Sequence, residues 1–537
     1  MSHARVGQHE LNVHRKAARE GLSYDAKISY IELPICTHQN AGTVGIETWP
    51  ILLPADLVAA MIKNGDLRFL TQLDKMEDYW KHLLKDYPNH PVVGQEAMSV
   101  PLTLYGDEGQ ALGGSWMNYH FCPSLSPCIS NSACSRFLMC CIPAAMYVFD
   151  EHGVNLTLQA ATAAIRDSFN SLSRTGVPIQ DPETGECVCT LKFWIAHVTG
   201  DWKFLYQTFN FQRYATYEEI CWMCLCTKGS DDPSWSFTNL NDGCPWMGTL
   251  FQQDPWSIKP SLADLEGFNL QMLSVDLLHA FHLGCGRDLA GSAIRSLASQ
   301  AGFWAGNTQD LRLESATRSL RAFAANNRLS LTIRKLTKSN LSWETESYPE
   351  LKCKGFDTFI VVKWLAHEVT LRDCGDDLLA CALWAADSFL RVLHKSGTFL
   401  KEAEELHKTH VGNLFLRSYL RLASNALQAR QRLWRLRPKF HLLWHVVHER
   451  RASRLNATFT STWMDEDAMR KWMRITRMTH KRTAAINTLR RFLLGLPAKL
   501  NSAKVPGSSA EPRESWSNWL GWCVCVAIGP AEKTICI

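Results

Sequence analysis

Long apolar runs are missing from this sequence. No stretch of about 18 consecutive apolar residues, the minimum for a membrane-spanning helix, occurs in it. Its opening residues, MSHARVGQHELNVHRK, contain no apolar segment of the kind found in secretory signals. We therefore expect no membrane partner and no secretion. Hydrophobic residues make up 46% and charged residues 20% of the 537 residues, which is typical of a globular protein and not of a disordered chain.

Acidic residues are scarce in one long stretch. Between Arg417 and Arg491 there are 18 Lys and Arg but only 4 Asp and Glu, although the net charge of the whole chain is only +5. The rest of the chain is therefore net negative. Such a concentration of positive charge is typical of proteins that bind a polyanion. It also fits a set of solvated helix faces, and both interpretations remain open.

Disulfides are not expected, in spite of the 19 cysteines. The number is odd, the chain is large and no secretory signal is evident, so a disulfide framework does not fit. Most of these cysteines are expected to be reduced and buried, where they behave as small apolar residues.

A strand and helix pattern lies between residues 100 and 198. It predicts strands at 100–105, 115–122, 136–148 and 191–198, with an amphipathic helix at 158–172 before the last strand. Asp107 follows the first of these strands and Asp201 follows the last. If the two strands are neighbours in a sheet, the two carboxylates lie close together. Gly-Asp after a strand is also ordinary turn chemistry, so each Asp has a structural explanation as well.

Two short motifs have the spacing of half a zinc site each. Cys221 and Cys224 form a C-x2-C, and His441 and His445 lie four residues apart, which places both imidazoles on one face of a helix. Together they make a Cys2His2 set. An alternative second half is Asp276, His279 and the nearby His282. Buried thiols and core histidines are the structural alternative for both motifs.

Three consecutive acids, Asp465, Glu466 and Asp467, begin a predicted helix inside the basic stretch. Acids in a first helical turn are favoured by the helix dipole. They can also bind a metal ion through a carboxylate, and this alternative remains open.

The order of these motifs resembles a family. Strand-Asp, strand-Asp, C-x2-C, D-x2-H, a long helical segment, H-x3-H and a late acid on a helix resemble the eukaryotic cut-and-paste DNA transposases with an RNase H-like core. The nearest resemblance is to the CACTA and Kyakuja-Dileera-Zisupton types, and the order is also similar to that of the catalytic subunit of the V(D)J recombinase. The phrase WMDEDAMRKWMRI resembles transposon-related proteins of dinoflagellates. The resemblance covers roughly residues 95 to 480.

The resemblance assigns a role to each motif. Asp107 and Asp201 match the first two catalytic acids, and Glu466 matches the terminal Glu, with Asp465 or Asp467 as substitutes. Cys221, Cys224, His441 and His445 match the ligands of a structural Zn²⁺, and Asp276 with His279 matches the D-x2-H element. The three catalytic acids imply two Mg²⁺ or Mn²⁺ ions for DNA strand cleavage and transfer.

The resemblance also implies a fold and partners. The expected class is α/β, with an RNase H-like mixed sheet interrupted by a large helical insertion and preceded by an α-rich N-terminal region. The expected parts are 1–95 (N-terminal region), 96–260 (first part of the core with the C-x2-C), 261–435 (helical insertion), 436–500 (last part of the core with the zinc histidines and the acidic helix) and 501–537 (linker and tail). DNA is the expected partner, a homo-oligomer is an expected assembly, and a nuclear location follows if the protein is functional. The residues expected to bind DNA phosphates are Arg435, Arg437, Lys439, Arg450 and Arg451.

Some positions depart from the family pattern. Asp107 is followed by Glu108 and Gly109 where an apolar residue is usual, and Asp201 is followed by Trp-Lys-Phe where a Leu-Pro-Ala-like run is common. Three expectations therefore stand side by side. They are an active transposase-like enzyme, a relic that keeps the fold without the chemistry, and a non-enzymatic, zinc-stabilised DNA-binding protein.

Overall fold

The computed structural model describes Lys16 and residues 23–36, 43–181, 183–343, 346–448 and 451–503. The strands in this part of the chain are β1 (Ile28–Cys36), β2 (Val44–Leu52), β3 (Ser99–Ala111), β4 (Gly114–Pro123), β5 (Phe137–Pro143), β6 (Val177–Gln180) and β7 (Cys187–Gly200). The α-helices are α1 (Pro54–Lys63), α2 (Met76–Leu83), α3 (Ser132–Ser135), α4 (Leu156–Arg174), α5 (Trp202–Thr208), α6 (Gly286–Ser299), α7 (Gln309–Asn326), α8 (Gly355–Leu371), α9 (Asp377–Lys395), α10 (Glu402–Gln428), α11 (Lys439–His448), α12 (Trp463–Arg477) and α13 (Ala484–Ser502). A π-helix, Leu278–Cys285, precedes α6.

The described residues form two compact units. Unit 1 consists of those within Met1–Phe211, Trp256–Ser274 and Thr462–Ile537, and unit 2 of those within Gln212–Pro255 and Val275–Ser461. The chain thus leaves unit 1 after Phe211 and returns to it for good at Thr462. The five-part division expected from the sequence stays a prediction.

Unit 1 contains a mixed five-stranded sheet with the strand order β5-β4-β3-β7-β6. Strands β3 and β7 pair in parallel, and the other neighbours pair antiparallel. With the surrounding helices this confirms the expected α/β class. The N-terminal region, expected to be rich in helix, also holds a two-stranded antiparallel sheet of β1 and β2.

Helix α4 packs on the sheet as its sequence predicts. The five residues that define its apolar face are all at least 98% buried: Leu158, Ala161, Ile165, Phe169 and Leu172. The helix begins after Asn155, whose side-chain oxygen accepts a hydrogen bond from the Leu158 N–H at 3.1 Å, a normal N-cap. This helix is the connection that returns the chain toward β7.

Strand β3 is longer than its sequence suggests. Gly106, Asp107 and Gly109 were expected to end the strand, but β3 continues to Ala111 and turns back into β4 at Leu112 and Gly113, both with positive φ. A two-residue turn with φ above zero at both positions suits the twist of a hairpin. The two glycines serve close packing instead of a turn, because a methyl at Gly106 would meet the Phe204 ring and one at Gly109 would meet Met473.

Unit 2 is mostly helical. Residues 261–435 were expected to be helical, and α6 to α10 lie within them. Among the described residues, no helix is long and apolar enough to cross a bilayer.

The close approach of β3 and β7 can be tested at Gly200. A methyl there would lie 2.5 Å from the carbonyl oxygen of Gly106, which cannot move without breaking the strand pairing. We expect Gly200→Ala to lower the free energy of unfolding by about 1–3 kcal/mol, as overpacking usually does. The measurement is urea denaturation. The control is Gly114→Ala in the same sheet, where a methyl meets nothing within 4 Å. Equal effects of the two variants would contradict the packing described.

Candidate functional site

The pairing of β3 with β7 brings Asp107 and Asp201 to the same place in unit 1. The last parallel pair in the register is Gly106 with Gly200. Asp107 and Asp201 are the next residues on the two neighbouring strands, whose axes lie about 4.8 Å apart in a sheet. Neighbouring strands were the condition stated for the two acids to approach each other, and the structure meets it.

Glu466 reaches the same end of β3 from the far part of the sequence. It lies in the first turn of α12. One carboxylate oxygen of Glu466 lies within 4.8 Å of one of Asp107. Oxygen ligands of Mg²⁺ lie about 2.0–2.1 Å from the ion, so two of them are at most about 4.2 Å apart. Small rotations of these side chains are enough for both to bind one divalent ion.

Asp107 is held by two hydrogen bonds. The Tyr105 hydroxyl donates to Asp107 Oδ2 at 3.0 Å, and the backbone N–H of Glu108 donates to Oδ1 at 2.6 Å. These two hydrogen bonds orient the Asp107 carboxylate.

Tyr105 lies among the acids. It is fully buried, and burial is the main reason that its pKa is raised well above the ordinary value. The negative charges of Asp107, Glu466, Asp465 and Asp201 raise the pKa further, in that order. All four acids are thus within electrostatic reach of one phenol, which stays protonated and acts as a donor.

Asp201 also has a structural task. It is half-buried and is the N-cap of α5, where its Oδ1 accepts a hydrogen bond from the Phe204 N–H at 2.6 Å. The structural explanation considered for this Asp is therefore correct. An N-cap carboxylate keeps a second oxygen, so capping and metal binding are compatible.

Asp465 is bound to an arginine and a histidine of its own unit. Its Oδ1 lies 2.8 Å from His120 Nε2 and 3.1 Å from Arg136 Nε, and all three side chains are more than 90% buried. Burial opposes ionisation of Asp465, but the charge of Arg136 and the contact with His120 outweigh it and lower the pKa of this carboxyl. Asp465 thus anchors α12 to β4 and to the start of β5.

Asp467 lies at the surface in a different set of contacts. It accepts hydrogen bonds from Ser132 at 2.5 Å, from Lys471 and from Arg470. Partial burial opposes the effect, but these bonds lower the pKa of Asp467 to about 2. Of the three consecutive acids, Glu466 is the one that lies beside Asp107.

A buried cluster of two thiols and two imidazoles lies in unit 2. Its members are Cys221, Cys224, His441 and His445, and each offers a ligand atom within 4.8 Å of the others. All four are at most 1% exposed. The two histidines are on α11, four residues apart, as predicted. The structural alternative, in which the thiols and histidines are buried separately in the core, does not explain why the four side chains converge.

The distances in the cluster suit a tetrahedral ion. Cys221 Sγ lies 3.3 Å from His445 Nε2, Cys224 Sγ lies 3.2 Å from His441 Nε2, and the two Nε2 atoms lie 2.9 Å apart. Zinc binds sulfur at about 2.3 Å and imidazole nitrogen at about 2.0–2.1 Å, so ligand atoms of one ion lie close to these separations. The cluster can hold a metal ion such as zinc.

The surroundings of the cluster are dry and apolar. Burial raises the pKa of both cysteines and lowers that of His441. The rings of Trp246 and Trp444 enclose His441 at centroid distances of 4.8 and 6.2 Å. A dry site with two thiolate and two imidazole ligands suits zinc, and four protein ligands leave no open position for catalysis.

The alternative half-site caps a helix. Asp276 accepts hydrogen bonds from the N–H groups of Leu278 and His279 at the start of the π-helix, and its Oδ2 lies 2.5 Å from His279 Nδ1. Ser461 donates to the same carboxylate at 3.2 Å. His282 is fully buried, and burial lowers its pKa to about 3. None of these residues belongs to the Cys2His2 cluster found in the described part of the chain.

The residues expected to bind DNA phosphates have different surroundings. Arg437 donates to Asp288 at 2.7 Å and to Glu350 at 2.5 Å, so its charge is used inside unit 2. Arg435 is exposed, and Lys439 and Arg451 are half-buried. Arg450 lies outside the described residues.

One feature of unit 1 was missed. The contacts of Asp465 with His120 and Arg136 join positions more than 320 residues apart, and no local pattern signals them. The basic face of α12, by contrast, lies within the positively charged stretch that the sequence shows, and residues 468–503 contain nine Lys and Arg and no acid.

Comparison of the chain with known protein families and with curated proteins gives no match.

The anchoring role of Asp465 can be measured against its neighbour. We expect Asp465→Asn to cost about 3–5 kcal/mol of unfolding free energy, because it leaves buried Arg136 without its counter-charge. Asp467→Asn, the same change two residues along the same helix, removes a more exposed pair and is expected to cost no more than about 1 kcal/mol. The measurement is chemical denaturation of both variants. Similar costs would show that Asp465 does not anchor the helix.

The metal-binding capacity of the cluster has a direct test. We expect elemental analysis of the purified protein to find one zinc ion per chain. Cys224→Ala is expected to lose most of it and to lower stability by at least about 2 kcal/mol, or roughly 4–8 °C in the unfolding midpoint. The control is Cys285→Ala, a buried cysteine of unit 2 outside the cluster. Wild-type protein without metal, or a Cys224→Ala protein with full metal content, would refute the site.

Proposed function

We propose that unit 1 carries a transposase-like site that cleaves and transfers DNA strands with two divalent metal ions. The observation that carries this proposal is the approach of Glu466 to Asp107, across 359 positions of sequence, at the place where Asp201 ends the neighbouring strand. Acids at the ends of two neighbouring strands and on a late helix are what the resemblance to RNase H-like transposases implies. The sheet order, with the two Asp-bearing strands side by side and parallel, supports it.

The ligands suit hard cations. Carboxylate oxygens favour Mg²⁺ or Mn²⁺ over zinc. When bound, two such ions activate water or a 3′-hydroxyl and stabilise the leaving oxygen during in-line displacement at phosphorus. Phosphoryl transfer depends on positioning and charge neutralisation more than on covalent chemistry.

The residues of the chain do the positioning. Tyr105 and the Glu108 N–H fix the orientation of Asp107, and the N-cap geometry fixes Asp201. Asp465 holds in place the first turn of α12, which carries Glu466. Asp107 itself is buried, which strengthens its attraction to a cation relative to water.

The rest of the proposal follows from the same resemblance. Zinc in unit 2 is structural, DNA is the partner, the assembly is a homo-oligomer, and the location is the nucleus. The second candidate is a non-enzymatic DNA-binding protein. The basic face of α12 favours this candidate, because binding of DNA by such a face requires no metal ions.

The two candidate functions predict different effects on DNA cleavage when one of the acids Asp107, Asp201 and Glu466 loses its charge. Asp201→Asn is the sharpest change, because Asn caps helices as well as Asp and the fold is kept. We expect it to lower Mg²⁺- or Mn²⁺-dependent nicking of supercoiled plasmid by more than the 10–100-fold typical of outer-sphere partners of a metal. Glu466→Gln is expected to do the same. Binding of DNA in EDTA should persist in both.

The matched control is Asp74→Asn, an exposed acid of unit 1 away from the site. It is expected to nick like the wild type. Nicking that survives Asp201→Asn would contradict the enzyme, and a wild-type protein that binds DNA but never nicks would favour the second candidate.

A further inference from the structure

One face of α12 joins Glu466 to a row of arginines. Arg470, Arg474 and Arg477 follow Glu466 at four, eight and eleven positions. With 3.6 residues per turn, all four side chains project within about 80° of one another. The distance along the helix from Glu466 to Arg477 is about 16 Å.

The opposite face of α12 is buried, so the row of arginines faces solvent. Met473 packs at Gly109 and its sulfur lies 3.8 Å from Asn118 Nδ2. The Trp472 ring contacts His120 and Phe492, with centroids 4.9 and 6.2 Å away. The side chain of Arg470 is 70% exposed, by contrast.

The row continues beyond the helix. Lys481 and Arg482 are exposed in the turn between α12 and α13. The helix dipole favours cations in the last turn of α12, which accounts for Arg474 and Arg477 in part. It does not account for Arg470 near the start of the helix or for the two cations in the turn.

Little of this charge is neutralised. Arg470 pairs with Asp467, and Arg477 donates to the neutral carbonyl oxygen of Gln110 at 2.7 Å. Within the described residues, no ion pair joins Arg474, Lys481 or Arg482 to an acid. The sequence explains this, since no Asp or Glu occurs from residue 468 to residue 503.

We propose that Arg470, Arg474, Arg477, Lys481 and Arg482, the arginine strip, bind the sugar–phosphate backbone of a nucleic-acid strand. The partner is argued from charge and continuity. Guanidinium groups bind phosphates through paired hydrogen bonds, and 16 Å covers the rise of about five nucleotides of a duplex at 3.4 Å each. A lipid surface would also need an apolar stripe between the cations, and the apolar residues of α12 are in its buried face.

The arginine strip begins one helical turn from Glu466. A nucleic-acid strand bound along the strip would therefore extend to the carboxylates. This extension rests on the proposed function, whereas binding by the strip does not.

Binding is tested with a triple variant, Arg474→Gln, Lys481→Gln and Arg482→Gln. These residues form no ion pair in the described part of the chain, so the fold should be unaffected within about 0.5 kcal/mol. The probe is a fluorescent 30-base-pair DNA duplex in EDTA, titrated at several salt concentrations. We expect the Kd at 100 mM salt to rise at least 10-fold, and the slope of log affinity against log salt to fall by about 2 to 3, since each lost phosphate contact removes about 0.9.

The matched control removes equal charge elsewhere in unit 1, as Lys27→Gln, Lys63→Gln and Lys85→Gln, all exposed. Parallel titrations with single-stranded DNA and with an RNA duplex of the same sequence show which of these three nucleic acids the arginine strip binds most tightly. A strip variant that behaves like the control, or wild-type binding that does not depend on salt, would overturn the proposal.

A kinetic measurement separates this proposal from the proposed function. In plasmid nicking, the strip variant is expected to raise KM for DNA with kcat nearly unchanged, because uniform binding is lost. Glu466→Gln is expected to lose kcat and keep its Kd in EDTA. If Glu466→Gln keeps nicking while the strip variant loses binding, the carboxylate site fails and the strip stands. If the strip variant keeps its Kd and salt slope, the strip fails whatever the carboxylates do.

Discussion

The parallel pairing of β3 and β7 is the constraint on which the placement of Asp107 and Asp201 depends. It stops at Gly106 and Gly200, and both positions need glycine because the Phe204 ring packs against the paired backbones. Beyond that point β7 ends in the N-cap of α5, while β3 continues alone beside β4. As a result, Asp107 lies inside β3, whereas Asp201 follows the last residue of β7 and caps α5.

Three consecutive acids on α12 take three separate tasks, because neighbouring residues on a helix point about 100° apart. Asp465 points into the core and binds Arg136 and His120, Glu466 points along the edge of β3, and Asp467 points to solvent and to Lys471. A buried ion pair costs desolvation and contributes little net stability, so its value here is to set the rotation of the helix. A rotation by one residue would exchange the buried acid for the one beside Asp107.

Much of unit 1 and the Cys2His2 cluster could be predicted from the sequence. Local periodicity indicates the strands and α4, and the C-x2-C and H-x3-H spacings indicate the ligands of the cluster. The features that could not be predicted depend on contacts between residues far apart in the sequence. The end of β3 was misjudged because glycines that permit close packing look like turn glycines. The ion pairs of Arg437 with Asp288 and Glu350 could not be predicted, because these partners lie 149 and 87 positions away.

The Cys2His2 cluster closes a very long loop of chain. Its two halves are separated by 217 positions between Cys224 and His441. At about 5–20 residues per second of synthesis, roughly 10 to 45 s pass between the emergence of the first half and the second. During that interval Cys221 and Cys224 are unprotected thiols on a nascent polypeptide, open to oxidation or to the wrong metal. The assembly of unit 2 is therefore tied to the reducing power of the compartment in which its ribosome works.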